Sequence, residues 1–154
     1  MNQLQTSIVP CLDDDGETYF GLQILIDGQS LIDIVRHAET SMAVAEGAPN
    51  MAGAYGWSSI SLGAVDDLRS SVATEKKTVL VLDCTCGFPG CWPLRSRLTF
   101  TPRQVVWSHF EQRYRSAGSV HHWSYDHLCS FVFERVAYER TLSQAAGEAS
   151  ASWN

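Results

Sequence analysis

Phe20, Leu22, Ile24 and Ile26 alternate with Gly21, Gln23 and Leu25, the two-residue period of a strand with one buried face. Upstream, Ile8-Val9-Pro10-Cys11-Leu12 reads as its partner strand. The Asp-rich connection at 13–17 is then a hairpin loop, because Asp and Gly accept turn dihedrals. Its carboxylate spacing does not match an EF-hand calcium loop. After a turn at Asp27-Gly28 the period changes. Leu31, Ile34, Val35 and Ala38 recur at helical spacing, and Ser30 with Asp33 reads as a capping box opening a helix over 31–45. Residues 46–78 lose periodicity. Glycines at 47, 53, 56 and 63 with Pro49 predict loop, with one helical turn over 64–68 and Tyr55 and Trp57 as anchors to the core. So long a loop is a candidate functional segment or hides an element.

Val79-Leu80-Val81-Leu82 is short, apolar and β-branched, which suits a central strand. Segments 92–100 and 104–112 form a hairpin about Thr101-Pro102-Arg103. With that loop Phe100 pairs with Gln104, Leu98 with Val106 and Leu94 with Phe110, giving a core face of Leu94, Ser96, Leu98, Val106 and Phe110. The opposite face carries Arg95, Arg97, Val105, Trp107 and His109, with Arg97 stacked across from Trp107. A loop one residue longer exchanges the two faces. Phe131-Val132-Phe133 is a final short strand before a helix over 134–146, where Tyr138, Leu142 and Ala145 form an apolar stripe. Residues 147–154 are expected as a flexible tail. The fold expected is one α+β domain over 1–146, a mostly antiparallel sheet of about five or six strands packed by two helices.

Composition narrows the function classes. The 154 residues suffice for one domain with a real core, and 45% hydrophobic content makes it globular. The net charge of −6 is uneven, because residues 1–75 hold eleven acids against Arg36 and Arg69. Residues 76–154 hold nine Lys or Arg against six acids. An acidic chain argues against general nucleic-acid binding. No apolar run is long enough for a membrane span, and the start lacks the features of a signal peptide. Five cysteines without an export signal suit a reducing compartment, so the expected location is cytoplasmic.

Three of those cysteines crowd into Cys84-Thr85-Cys86-Gly87-Phe88-Pro89-Gly90-Cys91. Thiolates converging through glycine turns hold zinc. Cys84, Cys86 and Cys91 supply three ligands, with Cys129, His109, His121, His122 or His127 as the fourth. The spacings depart from the usual repeated Cys-x-x-Cys knuckle. A thioredoxin-type centre needs Cys-x-x-Cys at a helix start, which is missing, and a cysteine hydrolase needs a histidine that the sequence alone does not bring to a thiol. The plain alternative is a turn lined by small buried thiols beneath Trp92. In His121-His122-Trp123-Ser124-Tyr125, the aromatics are expected to pack down while the histidines face water.

Arg95, Arg97, Trp107, His109, Arg113 and Trp123 have the aromatic and arginine composition of a protein-binding surface. The order Cys84-x-Cys86-Gly87-x-x-Gly90-Cys91-Trp92-Pro93-Leu94, then Trp107-Ser108-x-Phe110, then Phe131-x-Phe133-x-Arg135-x-x-Tyr138-Glu139, resembles a family of short bacterial cytoplasmic proteins. That family carries no assigned activity, so the resemblance implies no catalytic residue. By analogy with small acidic immunity proteins, the leading expectation is a non-catalytic, cofactor-free domain that binds another protein, of immunity or antitoxin type. The alternative is a zinc-binding domain built on Cys84, Cys86, Cys91 and Cys129, with a cysteine-dependent enzyme third.

Overall fold

The alternation in the first hairpin appears as nine consecutive backbone partners between β1 (Leu4–Leu12) and β2 (Thr18–Ile26), from Leu4 opposite Ile26 to Leu12 opposite Thr18. In this computed structural model, which describes residues 1–12, 14–56, 58–59, 62–86 and 90–152, Leu22, Ile24 and Ile26 point into the core. β1 starts four residues before the segment expected from its apolar run and carries Pro10 opposite Phe20. Proline is tolerated there because β1 is the outer strand of its sheet.

Asp27 and Gly28 both take positive φ, 54° and 82°, the paired left-handed conformation of a tight hairpin turn. The turn leads into β3 (Gln29–Ser30), which pairs with the end of β2. Helix α1 (Leu31–Ala45) follows with the expected bounds and buries Leu31, Val35 and Ala38. The capping box does not form. Ser30 makes no side-chain cap bond, and the Asp33 carboxylate instead pairs with Arg36 at 2.5 Å.

The weakly periodic stretch holds several short elements. A 3-10 turn at Pro49–Met51 precedes β4 (Tyr55–Gly56), β5 (Ser58–Ser59) and α2 (Leu62–Asp67). Trp57 lies outside the described residues. β6 (Glu75–Cys84) begins earlier than its apolar centre suggests. β7 (Leu94–Phe100), β8 (Gln104–Gln112) and β9 (Phe131–Glu134) follow, and α3 (Arg135–Ser152) closes the described chain.

Two antiparallel sheets result. One runs β4-β6-β7-β8-β9, and the other is β1-β2-β3 with β5 also on β2. A parallel bridge between Asn2 and Phe133 joins them. The fold is therefore α+β as expected, with two sheets rather than one and with α2 in addition to the two expected helices.

The β7–β8 register differs from the expected one by one residue. Phe100 stands opposite Val105, Leu98 opposite Trp107 and Arg97 opposite Ser108. Thr101 causes this: its N–H donates to the Gln104 carbonyl at 2.9 Å, and its hydroxyl accepts from the Gln104 N–H at 3.0 Å. That pair lengthens the turn and sends Val105 and Trp107 into the core. A bulge between Arg95 and Arg97, with His109 at φ 52°, then restores the phase so that Phe110 and Gln112 also face inward. Trp107 is fully buried and its indole N–H donates to the Tyr138 hydroxyl at 3.2 Å. It therefore neither stacks on Arg97 nor offers a binding surface.

The expected flexible tail is helical through Ser152. The stripe of Tyr138, Leu142 and Ala145 extends to Ala149, which is fully buried. Among the described residues, no helix is long and apolar enough to cross a membrane.

Candidate metal centre

β6 delivers the first two residues of the site. Its partner β4 sets Tyr55 opposite Cys84 and Gly56 opposite Asp83. Asp83 is buried and has no basic partner among the described residues. Its carboxylate accepts from the N–H of Cys84 at 2.8 Å, of Gly90 at 2.7 Å and of Trp92 at 3.3 Å. A single side chain thus ties the start of the cysteine loop to its end, satisfying backbone donors that strand pairing leaves free.

The loop held this way brings the Sγ atoms of Cys84, Cys86 and Cys91 within 4.8 Å of one another. The Cys86 N–H also points to the Cys84 Sγ at 3.5 Å. Burial pushes the Cys84 thiol up, but the Cys86 N–H and the thiols of Cys86 and Cys91 donate to it and bring it below its ordinary value on balance. Cys91 is pushed up to about 12, because its proton is donated to Cys84 and Cys86. Cys84 and Cys91 are thus linked, the first giving up its proton readily and the second resisting the loss of its own. A cation among the three sulfurs would relieve that resistance by displacing the remaining protons.

Gly56 permits the loop's close approach. A Cβ there would lie 3.0 Å from the Thr85 Cα and 3.2 Å from the Cys84 carbonyl oxygen. On the other side, Trp92 stacks on Tyr114 at 6.0 Å and meets Trp123 edge-on at 6.0 Å. The Arg115 guanidinium lies over both indoles and makes a two-pronged pair with Glu46 at 3.0 and 3.1 Å. Tyr114 reaches back through its hydroxyl to the Gly90 carbonyl at 3.3 Å. An aromatic block therefore packs against the loop from outside.

Comparison of the chain with protein-family models, curated proteins and solved structures found no match. The functional reading rests on geometry.

Cys84 and Cys86 are half-buried, with Cys84 packed against the core, and Cys91 is exposed. Cys129 is exposed and stands outside the sulfur group, so the expected fourth ligand is not brought to it. His109 contacts the Ser108 hydroxyl at 2.9 Å and His127 the Ala38 carbonyl at 2.8 Å, and neither joins the thiols. His121 and His122 face water while Trp123 and Tyr125 are buried, as expected for that stretch. Arg95, Arg97, His109 and Arg113 are exposed, whereas burial removes Trp123, like Trp107, from the expected partner surface.

Sequence reasoning did not single out Asp83. An aspartate ending a strand before a glycine-rich loop is a usable signal for a loop-tying carboxylate. The pairing of Arg115 with Glu46, sixty-nine positions away, left no trace along the chain. Nor did the buried carboxylate of Glu39, which accepts from the hydroxyls of Tyr55 and Tyr125 and from the Gly53 N–H.

Proposed function

We propose that this protein binds a thiophilic metal ion through Cys84, Cys86 and Cys91. The observation that carries the reading is the convergence of three sulfurs within 4.8 Å on a loop tied at both ends by one carboxylate. Around an ion with metal–sulfur bonds of about 2.3 Å, thiolates stand about 4 Å apart, so closure asks for only small movements. Cysteine thiolates select soft or borderline ions, zinc and copper(I) foremost. Cys91 is exposed, which suits an ion that is loaded and released more than one that holds the fold together. A reducing compartment, expected from the cysteine content, would keep the thiols available.

The test is elemental analysis of protein purified under reducing, chelator-free conditions, with thiols counted before and after chelation. The expected outcome is stoichiometric metal, with three thiols protected until chelator is added. Five freely titrating thiols and no metal uptake would overturn the reading.

A second reading, a domain that binds another protein, is favoured by Arg95 and Arg97. Both are exposed on the outer face of β7, and neither has an ion-pair partner among the described residues. An acidic partner surface suits them, and an immunity-type complex is one such case. Charge reversal at both arginines is the check: a specific partner captured by the native chain should be lost by Arg95→Glu/Arg97→Glu.

A further inference from the structure

We infer that Cys84, Cys86 and Cys91 take a monovalent d10 cation, chemically copper(I), in three-coordinate thiolate geometry, an inference that rests on the metal-binding reading above. The ligand count decides it. Among the described residues, the cluster of metal-ligating side chains closes at three sulfurs. Only Asp13, of all the chain's acids, histidines and cysteines, lies outside those residues.

The two carboxylates tied to the loop and to its aromatic block are committed elsewhere. Both oxygens of Asp83 are occupied by backbone N–H groups at 2.7 to 3.3 Å. Glu46 is held by Arg115 at 3.0 Å. Gly87, Phe88 and Pro89, which complete the loop, have no ligating side chain.

Structural zinc sites are four-coordinate and closed, so zinc here would have to complete its shell with water or an outside group. Copper(I) has a filled d shell, prefers soft thiolates and is satisfied by three of them. Loading displaces to solvent the protons that the thiols still carry. Exposed Cys91 offers the edge at which an external thiol can enter, share the ion and withdraw it. That route suits a carrier of copper(I).

The test uses the reduced, full-length chain under anaerobic conditions. Copper(I), delivered as its acetonitrile complex, is competed against bicinchoninate, and the loaded protein is examined by X-ray absorption. The expected result is stoichiometric copper surrounded by three sulfurs and no nitrogen or oxygen, retained in the presence of equimolar zinc. Cys84→Ser, Cys86→Ser and Cys91→Ser should each lose stoichiometric copper with an unchanged circular dichroism spectrum, while Cys129→Ser and Cys11→Ser retain it. Zinc displacing copper, or zinc bound by three sulfurs and one oxygen or nitrogen, would overturn the copper inference and leave the metal-binding reading standing. Failure to hold either ion would overturn both.

Discussion

Cys84 and Cys91 differ in exposure and in proton affinity, and the two properties oppose each other. Cys91 is the more exposed, yet its proton is held by the neighbouring sulfurs up to about 12, whereas Cys84 lies below its ordinary value. The thiolate is the nucleophile in alkylation. Iodoacetamide near pH 8 should therefore modify Cys84 before Cys91, and peptide mapping should find the adduct on Cys84 first. Early modification of Cys91 instead would contradict the hydrogen-bonding described here. Gly56 is the second informative residue. Its substitution by alanine places a methyl 3.0 Å from the Thr85 Cα, contact tight enough that the backbone must move. Gly56→Ala should weaken metal uptake and cost about 1 kcal/mol or more of stability. Gly118→Ala, where nothing lies within 4 Å of the added carbon, serves as the neutral control in the same titration.

Among the elements, α3 is tied to the end of α2 and to β8 through the Tyr138 hydroxyl. Tyr138 donates to the Leu68 carbonyl at 2.6 Å, just past α2, and accepts from the Trp107 indole of β8 at 3.2 Å. Its ring also packs against Phe100 and Phe133. Tyr138→Phe keeps the ring contacts and leaves a buried carbonyl and a buried N–H without partners. The expected cost is about 1–3 kcal/mol, read as a lower urea midpoint with an unchanged slope. A change below about 0.5 kcal/mol would show that water replaces the hydroxyl. The β7–β8 bulge shows how one residue redirects an element. Without the extra position at His109, residues 107, 109 and 111 would share a face. With it, Trp107, Phe110 and Gln112 all reach the core.

Over the whole molecule, stability should depend on pH through Glu39. Burial raises its carboxyl above the ordinary value of 4.5, against the lowering effect of bonds from Tyr125, Gly53 and Tyr55 and of the Arg36 charge. The folded state therefore binds the proton more tightly than the unfolded chain does. The stabilisation linked to that proton is fully present below 4.5 and is lost as pH rises through the raised value. Glu46 works oppositely: its pair with Arg115 lowers it, so its contribution is present above 4.5 and lost in acid. In the range above pH 4.5 the Glu39 effect is the one expected to show. The urea midpoint should fall as pH rises through that window, and Glu39→Gln should flatten the slope. A midpoint that rises with pH in the native protein would refute the assignment. The core spans both sheets and both long helices through Ile24, Leu31, Val81, Leu98, Trp107 and Leu142, so chelation is expected to leave the fold intact.

What the sequence by itself determined is the local periodicity and its consequences: the β1–β2 hairpin, the bounds of α1, the β7–β8 pair and the apolar stripe of α3. These follow from neighbours a few residues apart, whose side chains alternate or recur on one face. The three-cysteine cluster was legible too, because a short loop leaves its thiols little room to separate. The tertiary structure alone decided the register of β7 against β8, which turns on a Thr101–Gln104 bond and a one-residue bulge that no hydrophobic period encodes. It also decided that Trp107 and Trp123 are core rather than surface, that Cys129 stands apart from the other thiols, and that β4 and β5 exist. Two-residue strands have no period to read. They form because β6 and β2 present backbone donors and acceptors that must be paired.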